Sequence, residues 1–195
     1  MFMRTYSPQR TVKIHRGVLS IEMVIILAVL AIAAITIFLN AGSLFGKNDT
    51  STEMANSQEI AINTRSLLKN GGIYDFNSAA DMTGVLIKFG GVPKSMTIVG
   101  DASSGRATVI NTWGGAVTVE PTASTGGKTG FTVTYEKVPM TACTTMSSKL
   151  SQSFGETSVN ASKTVGLINA SSASTQCTKD NGSTGTNTLK FTSLT

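Results

Sequence analysis

An uninterrupted apolar run at residues 18–39 limits what this chain can become more than any other feature. It is 22 residues long and holds no proline or glycine. Only Ser20, Glu22 and Thr36 break its hydrophobicity. About 20 such residues carry a helix across a bilayer. Arg4, Arg10, Lys13 and Arg16 precede the run with no acid among them, and only Lys47 follows at close range. Lysine and arginine collect on the cytoplasmic flank of a span. Residues 1–17 are therefore expected in the cytoplasm, residues 18–41 as one membrane-spanning helix, and the bulk of the chain outside.

The net charge of +5 belongs mainly to the first 17 residues, since beyond them 12 Lys and Arg face 11 Asp and Glu. A basic patch can mark nucleic-acid binding. Placed directly before a span it reads as an orientation signal, and no nucleic-acid partner is expected. Glu22 needs its own account. A charged side chain at the centre of a membrane helix costs roughly 2.5–3.5 kcal/mol, less near an end. The plain reading is a carboxylate reaching for headgroups.

The surrounding residues favour another. "GVLSIE" at 17–22, with basic residues before the glycine and a long apolar helix after it, resembles the processing site of type IV pilins. The resemblance implies a prepilin peptidase that cuts after Gly17. Val18 would become the new N-terminus and Glu22 the fifth mature residue. Val18 stands where type IVa pilins have Phe, and its N-methylation is expected from the resemblance alone. An amine buried in a filament core needs a partner. Glu22 of a neighbouring subunit would supply one, and would also suit the positive end of its own helix. Ordinary signal-peptide cleavage competes at "AIAA", residues 31–34, but the apolar run continues past it to Leu39.

Beyond the run, "AGSLFGKNDTST" at 41–52 carries Gly42 and Gly46, which predict a kink or short linker. An amphipathic helix is expected over 51–70. Ser51 or Thr52 would cap it, Glu53 would lie in its first turn, and Met54, Ala61 and Leu68 would form its core stripe, with Ile60 and Leu67 beside them. "NGG" at 70–72 stops it. A short helix or turn is expected near 78–88. Strands are expected at "SMTIVG", "RATVINTW", "AVTVEP" and "GFTVTYEKVP", with "STGGKTG" as a hairpin loop. Val117, Val119, Phe131, Val133 and Tyr135 alternate with Thr or Glu, which predicts an antiparallel sheet with one packed and one wet face. A further helix is expected through Met146, Leu150 and Phe154, then weaker strands near "TVGLINA" and "TLKFTSL". The class is α+β: a long N-terminal helix packed on an antiparallel sheet, with residues 42–195 as an extracytoplasmic head.

"NTWGGAVTVEP" at 111–121 and "VPMTAC" at 138–143, with a second cysteine near the end, resemble the major pilins of type IVb thin conjugative pili, the PilS-like group. Cys143 and Cys177 are two cysteines in a chain that leaves the cytoplasm, so a disulfide is the leading reading. It would be worth roughly 4 kcal/mol by chain entropy. The resemblance implies that this bridge bounds the variable D-region and that the fold is the type IV pilin fold. Two cysteines without a His or acidic cluster supply too few ligands for a metal.

Catalytic signals are poor. His15, the one histidine, lies in the leader. "GGKT" at 126–129 lacks the earlier glycine of a phosphate loop, because Thr122 stands there. "DASSGR" at 101–106 lacks the spacing of a nucleophile elbow. No enzyme activity and no cofactor are expected. The expected role is the major subunit of a helical filament serving adhesion, aggregation or mating contact. Its partners would be other copies, the peptidase, an inner-membrane assembly machine and, transiently, the bacterial inner membrane. The mature form would lie in an extracellular pilus. A minor pilin or secretion pseudopilin is the nearer alternative. An unprocessed bitopic inner-membrane binding protein is the more distant one.

Overall fold

A computed structural model describes residues 21–124 and 126–194, with side chains from Asn48 onward except at Ser124, and those of Met23, Ile25 and Ile26. The leader, residues 1–17, lies outside the described residues, as do nearly all side chains of the apolar run. Among the described residues no helix is long and apolar enough to cross a membrane. The chain divides between Gly42 and Ser43 into two units, and the second runs to Thr195.

Helix α1 spans Ile21–Leu68. Its helical backbone includes Gly42 and Gly46, where the sequence predicts an interruption. Two glycines cost a helix about 1 kcal/mol each, too little to end one whose neighbouring turns are favourable. Ser51, Thr52 and Glu53 are therefore interior residues of α1 and do not mark its start. Helix α2 (Ala79–Lys88) starts where Ser78 Oγ accepts from the Asp81 N–H at 3.1 Å. Strands β1 (Thr97–Val99) and β2 (Thr108–Ile110) flank a 3-10 turn at Ala102–Ser104. The hairpin β3 (Ala116–Ser124) and β4 (Gly127–Val138) turns within "STGGKTG" as expected, though β4 already begins inside that stretch, with Gly127 opposite Ser124. Helix α3 (Met140–Leu150), β5 (Glu156–Val159), β6 (Ser162–Val165), α4 (Ala170–Gln176) and β7 (Asn187–Ser193) complete the chain. The seven strands form one sheet, antiparallel throughout, in the order β1-β2-β3-β4-β7-β5-β6.

The inner face is built as the alternation predicts. Val117, Val119, Phe131, Val133 and Tyr135 are buried, with Leu189 and Phe191 of β7 beside them. Each such side chain contributes about 1.5–3 kcal/mol by leaving water. Where β3 runs past the short β2, its free edge is covered by α2. Thr83 Oγ1 accepts from the Val119 N–H at 2.8 Å and donates to the Val119 carbonyl at 3.2 Å. The close approach of α2 to the following turn requires Gly84, because a Cβ there would lie 2.0 Å from the Gly105 oxygen.

Three expectations are corrected. The outer face is not uniformly wet: Thr132, Thr134 and Thr192 are buried on it. Their neighbours across the strands cover them, and Thr132 Oγ1 bonds Thr122 Oγ1 at 2.6 Å and Thr192 Oγ1 at 2.8 Å. Phe154 lies beyond the end of α3, and the strand predicted near "TVGLINA" is β6 displaced toward the N-terminus, with Ile168 and Asn169 leading into α4. The third correction concerns α1. Its buried residues include Thr50, Glu53, Ser57 and Thr64 alongside Ile60, Ala61 and Leu68, while Leu67 stays exposed and Met54 is half-buried. A stripe drawn through apolar residues alone misses this polar half of the packed face.

Glu53 is the principal member of that half. Its side chain is fully buried. One carboxylate oxygen accepts from the Thr112 N–H at 2.8 Å and the other from Asn56 Nδ2 at 3.2 Å. The helix is thereby tied to the β2–β3 turn, which Asn111 organises by accepting from the Trp113 and Gly115 N–H groups. Burial raises the Glu53 carboxyl above its usual 4.5, the Thr112 and Asn56 donors work the other way, and Asp49 adds a further upward push. The folded chain thus holds this proton more tightly than the unfolded chain. Stability linked to Glu53 is fully present below pH 4.5 and is lost as pH rises through the raised value. Trp113, the single tryptophan, sits in the tied turn. Its fluorescence should titrate in this window in the wild type and not in Glu53→Gln. Identical titrations of the two proteins would rule out Glu53 as the source.

Candidate functional site

The segment from Cys143 to Cys177 is held by a covalent bridge and by several side-chain hydrogen bonds. Cys143 lies in α3 and Cys177 ends α4, and they form a disulfide with Cα atoms 6.0 Å apart. The cysteine pairing expected from the sequence is therefore present, and it is intramolecular.

Two asparagines that the sequence analysis passed over do as much. Asn187, at the start of β7, is fully buried. Its Oδ1 accepts from the Thr178 N–H at 2.7 Å, and its Nδ2 donates to the carbonyls of Thr178 and Val138 at 3.0 and 3.1 Å. Asn160 sits at φ +53°, a left-handed conformation that asparagine tolerates better than most residues. Its Nδ2 donates to the Gln176 carbonyl and to Asn187 Oδ1, and its Oδ1 accepts from the Thr188 N–H. The residues on either side of Cys177 are thus fastened to the sheet by side-chain amides. A third tie crosses to α3. That helix begins after Pro139, which offers no side-chain cap, and Asp180 Oδ1 accepts from the Met140 N–H at 2.8 Å. A carboxylate at a helix N-terminus is favourable as well as a cap. The only sequence signal for these roles was weak: isolated Asn and Asp residues in a Ser- and Thr-rich stretch, whose partners are distant in the chain.

Of the other predicted positions, Gly17 and Val18 lie outside the described residues. Glu22 belongs to the α1 backbone, and its side chain lies outside them too. Among the described residues no group of three or more His, Cys, Asp or Glu could hold a metal ion.

Replacing Asn187 by alanine strands the Thr178 N–H and the Val138 carbonyl, each a loss of about 1–3 kcal/mol. Asn187→Ala should retain the disulfide yet lower the urea midpoint. Upon reduction, the segment should become protease-sensitive well before that of the reduced wild type. Equal sensitivity would show that the disulfide alone holds the segment.

A family model described as PilS N terminal matches residues 47–194 of this chain. The crystal structure of a type IVb pilin from Salmonella typhi is 43% identical, with a TM-score of 0.64, and the match covers 72% of this chain and 97% of that one. The NMR structure of type IVb pilin (PilS) from Salmonella typhi is 42% identical, with a TM-score of 0.52 over 74% of this chain and 95% of that one. TcpA, a type IV pilin from Vibrio cholerae El Tor biotype, is 12% identical with a TM-score of 0.52 over 74% of this chain and 98% of that one, a likeness of fold alone. No curated protein matches. With its antiparallel sheet, its Cys143–Cys177 bridge and this match over most of its length, the chain belongs to the PilS family of type IVb pilins.

Proposed function

We propose that this chain is the major structural subunit of a type IVb pilus and that its role is structural rather than enzymatic. The observation that carries the reading is the junction at residues 16–22. Basic residues precede Gly17, an apolar run follows, and Glu22 stands five residues after Gly17. This junction is joined to a head of the pilin family.

In this reading the run at residues 18–39 first holds the precursor in the inner membrane with its N-terminus in the cytoplasm. A prepilin peptidase cuts between Gly17 and Val18. Assembly machinery then lifts the subunit out, and the apolar helices exchange lipid for close helix packing in the filament. The Glu22 carboxylate of one subunit pairs with the Val18 amine of another and sets their axial register. A buried pair that loses one partner costs about 3–5 kcal/mol, because the remaining charge is uncompensated. The outward surface of the head then serves adhesion, aggregation or mating contact.

Mass spectrometry of pili sheared from cells should find a mature chain that begins at Val18. A start near residue 34 would identify ordinary signal-peptide processing and sink the reading. Glu22→Ala removes a charge from an apolar stretch, so membrane insertion and cleavage should proceed normally. Pilus yield should nevertheless fall sharply relative to the pool of cleaved subunit, and an unchanged yield would count against the pairing.

A further inference from the structure

The loop that joins α4 to β7 carries a reactive pair at its tip. Two asparagines of this chain are followed by glycine, Asn70 and Asn181. The amide carbon of an asparagine is open to attack by the backbone nitrogen of the next residue, and glycine leaves that nitrogen unshielded. Elsewhere the side-chain amides are occupied: those of Asn56, Asn63, Asn111, Asn160 and Asn187 all donate hydrogen bonds. Among the described residues no partner holds the side-chain amide of Asn70 or Asn181.

The two sites differ in what stands behind them. Each lies in a turn closed by an isolated β-bridge, Asn70 with Ile73 and Asn181 with Thr184, through backbone bonds of 3.0 and 3.1 Å. Ring closure turns the asparagine backbone out of its extended conformation, so the bridge must open first. Tyr74 follows the first bridge directly. It is fully buried, and its N–H donates to the Lys128 carbonyl at 2.8 Å. The second bridge has no such anchor within it, because residues 180–184 are all exposed. Exposed loops with few buried contacts open at small free-energy cost. Asn181 is therefore the more reactive of the two.

We propose that Asn181 is a site of spontaneous deamidation and that its isoaspartyl product releases the N-terminus of α3. The Gly182 nitrogen bonds to Asn181 Cγ, the bond from Cγ to the amide nitrogen breaks, and the proton lost from Gly182 leaves with that nitrogen as ammonia. Water then opens the imide ring. Opening at Cγ leaves aspartate on an unchanged backbone. Opening at the main-chain carbonyl leaves isoaspartate, whose backbone runs through Cγ and is longer by a methylene. That methylene falls between Asp180 and Gly182. Asp180 Oδ1 is the acceptor for the Met140 N–H at 2.8 Å, and Pro139 supplies no side-chain cap. The lengthened tip cannot keep the register of the 181–184 bridge, and Asp180 loses the support that aims its carboxylate at α3. The base of the loop stays in place. Asn187 still accepts from the Thr178 N–H, the Thr178 and Thr186 hydroxyls stay 2.9 Å apart, and Gly185 stays seated where a Cβ would lie 2.2 Å from the Lys137 oxygen. The change is confined to the tip and to the first turn of α3, which leads into Cys143.

The test ages the full chain, purified in detergent, in warm and mildly alkaline buffer. The chain is then digested at acid pH and read by mass spectrometry with fragmentation that separates aspartate from isoaspartate. Conversion should appear first at Asn181, more slowly at Asn70, and not at Asn160 or Asn187. No conversion at Asn181, or conversion at Asn70 as fast or faster, would overturn the assignment. Hydrogen exchange checks the consequence. The Met140 amide should exchange about tenfold faster in chains with isoaspartate at 181, the scale of one lost bond to a charged acceptor. Asn181→Gln aged in the same way should keep its protection, since the longer side chain closes the ring far more slowly. Freshly made Asn181→Asp should keep it too, because it adds the charge without lengthening the backbone. Unchanged exchange at Met140 in isoaspartyl chains, or an equal loss of protection in aged Asn181→Gln, would refute the release of α3.

Discussion

The packing of helix α1 on the sheet depends on a buried carboxylate. Glu53 reaches from the helix to the Thr112 N–H and takes up a backbone donor of the β2–β3 turn. Asn56, one turn on, donates to the same carboxylate and accepts from Ser95, so the tie extends to the segment before β1. Farther along, Arg65 donates to Ser193 at 2.9 Å and lies over the Phe131 ring at 5.6 Å. The helix is thus placed by polar contacts at defined points, with Ile60, Ala61 and Leu68 filling the space between. Polar contacts fix register in a way that apolar contacts do not, because a one-residue slip leaves each donor and acceptor unpaired.

In the proposed reading α1 serves two environments, which gives reason for it to be built this way. Its first part is apolar enough to be expected in lipid or in a filament core, and a second strongly apolar stripe on the head portion would add to what the unassembled subunit exposes. Burying Thr50, Glu53, Ser57 and Thr64 lets the head hold α1 without such a stripe. The disulfide-bounded segment follows the same logic. Its short elements β5, β6 and α4 bury little, so a covalent bridge and the amides of Asn160 and Asn187 hold it in place. Its surface residues are correspondingly free to face outward, Val165 and Leu167 among them.

Much of the fold was legible in the sequence where one local signal sufficed. The β3–β4 hairpin announced itself by alternation around a glycine turn, and a short helix or turn was expected near 78–88, where α2 lies. Strand β5 was not legible, because only Thr157 and Val159 of its four residues are buried, and two anchors make no pattern. Helix α4 was hidden for a similar reason, with Ala173 as its one buried residue. The outer-face threonines looked wet because burial by neighbouring strands leaves no trace in alternation.

By itself the sequence determined the apolar run and its basic flank, the junction at Gly17 and Glu22, the α+β class and the pairing of two lone cysteines. Each of these follows from residue type or from spacing along the chain, which a reader of the sequence can see directly. Only the tertiary structure decided that Glu53 is a buried tie and not a helix-start residue, that Asn160, Asn187 and Asp180 fasten the disulfide-bounded segment, and that β1 and β6 are the ends of the sheet. For the polar ties the physical reason is shared. Their partners lie 9 to 59 residues away in the chain, and a polar side chain carries no sign in its own sequence neighbourhood of which donor or acceptor will meet it.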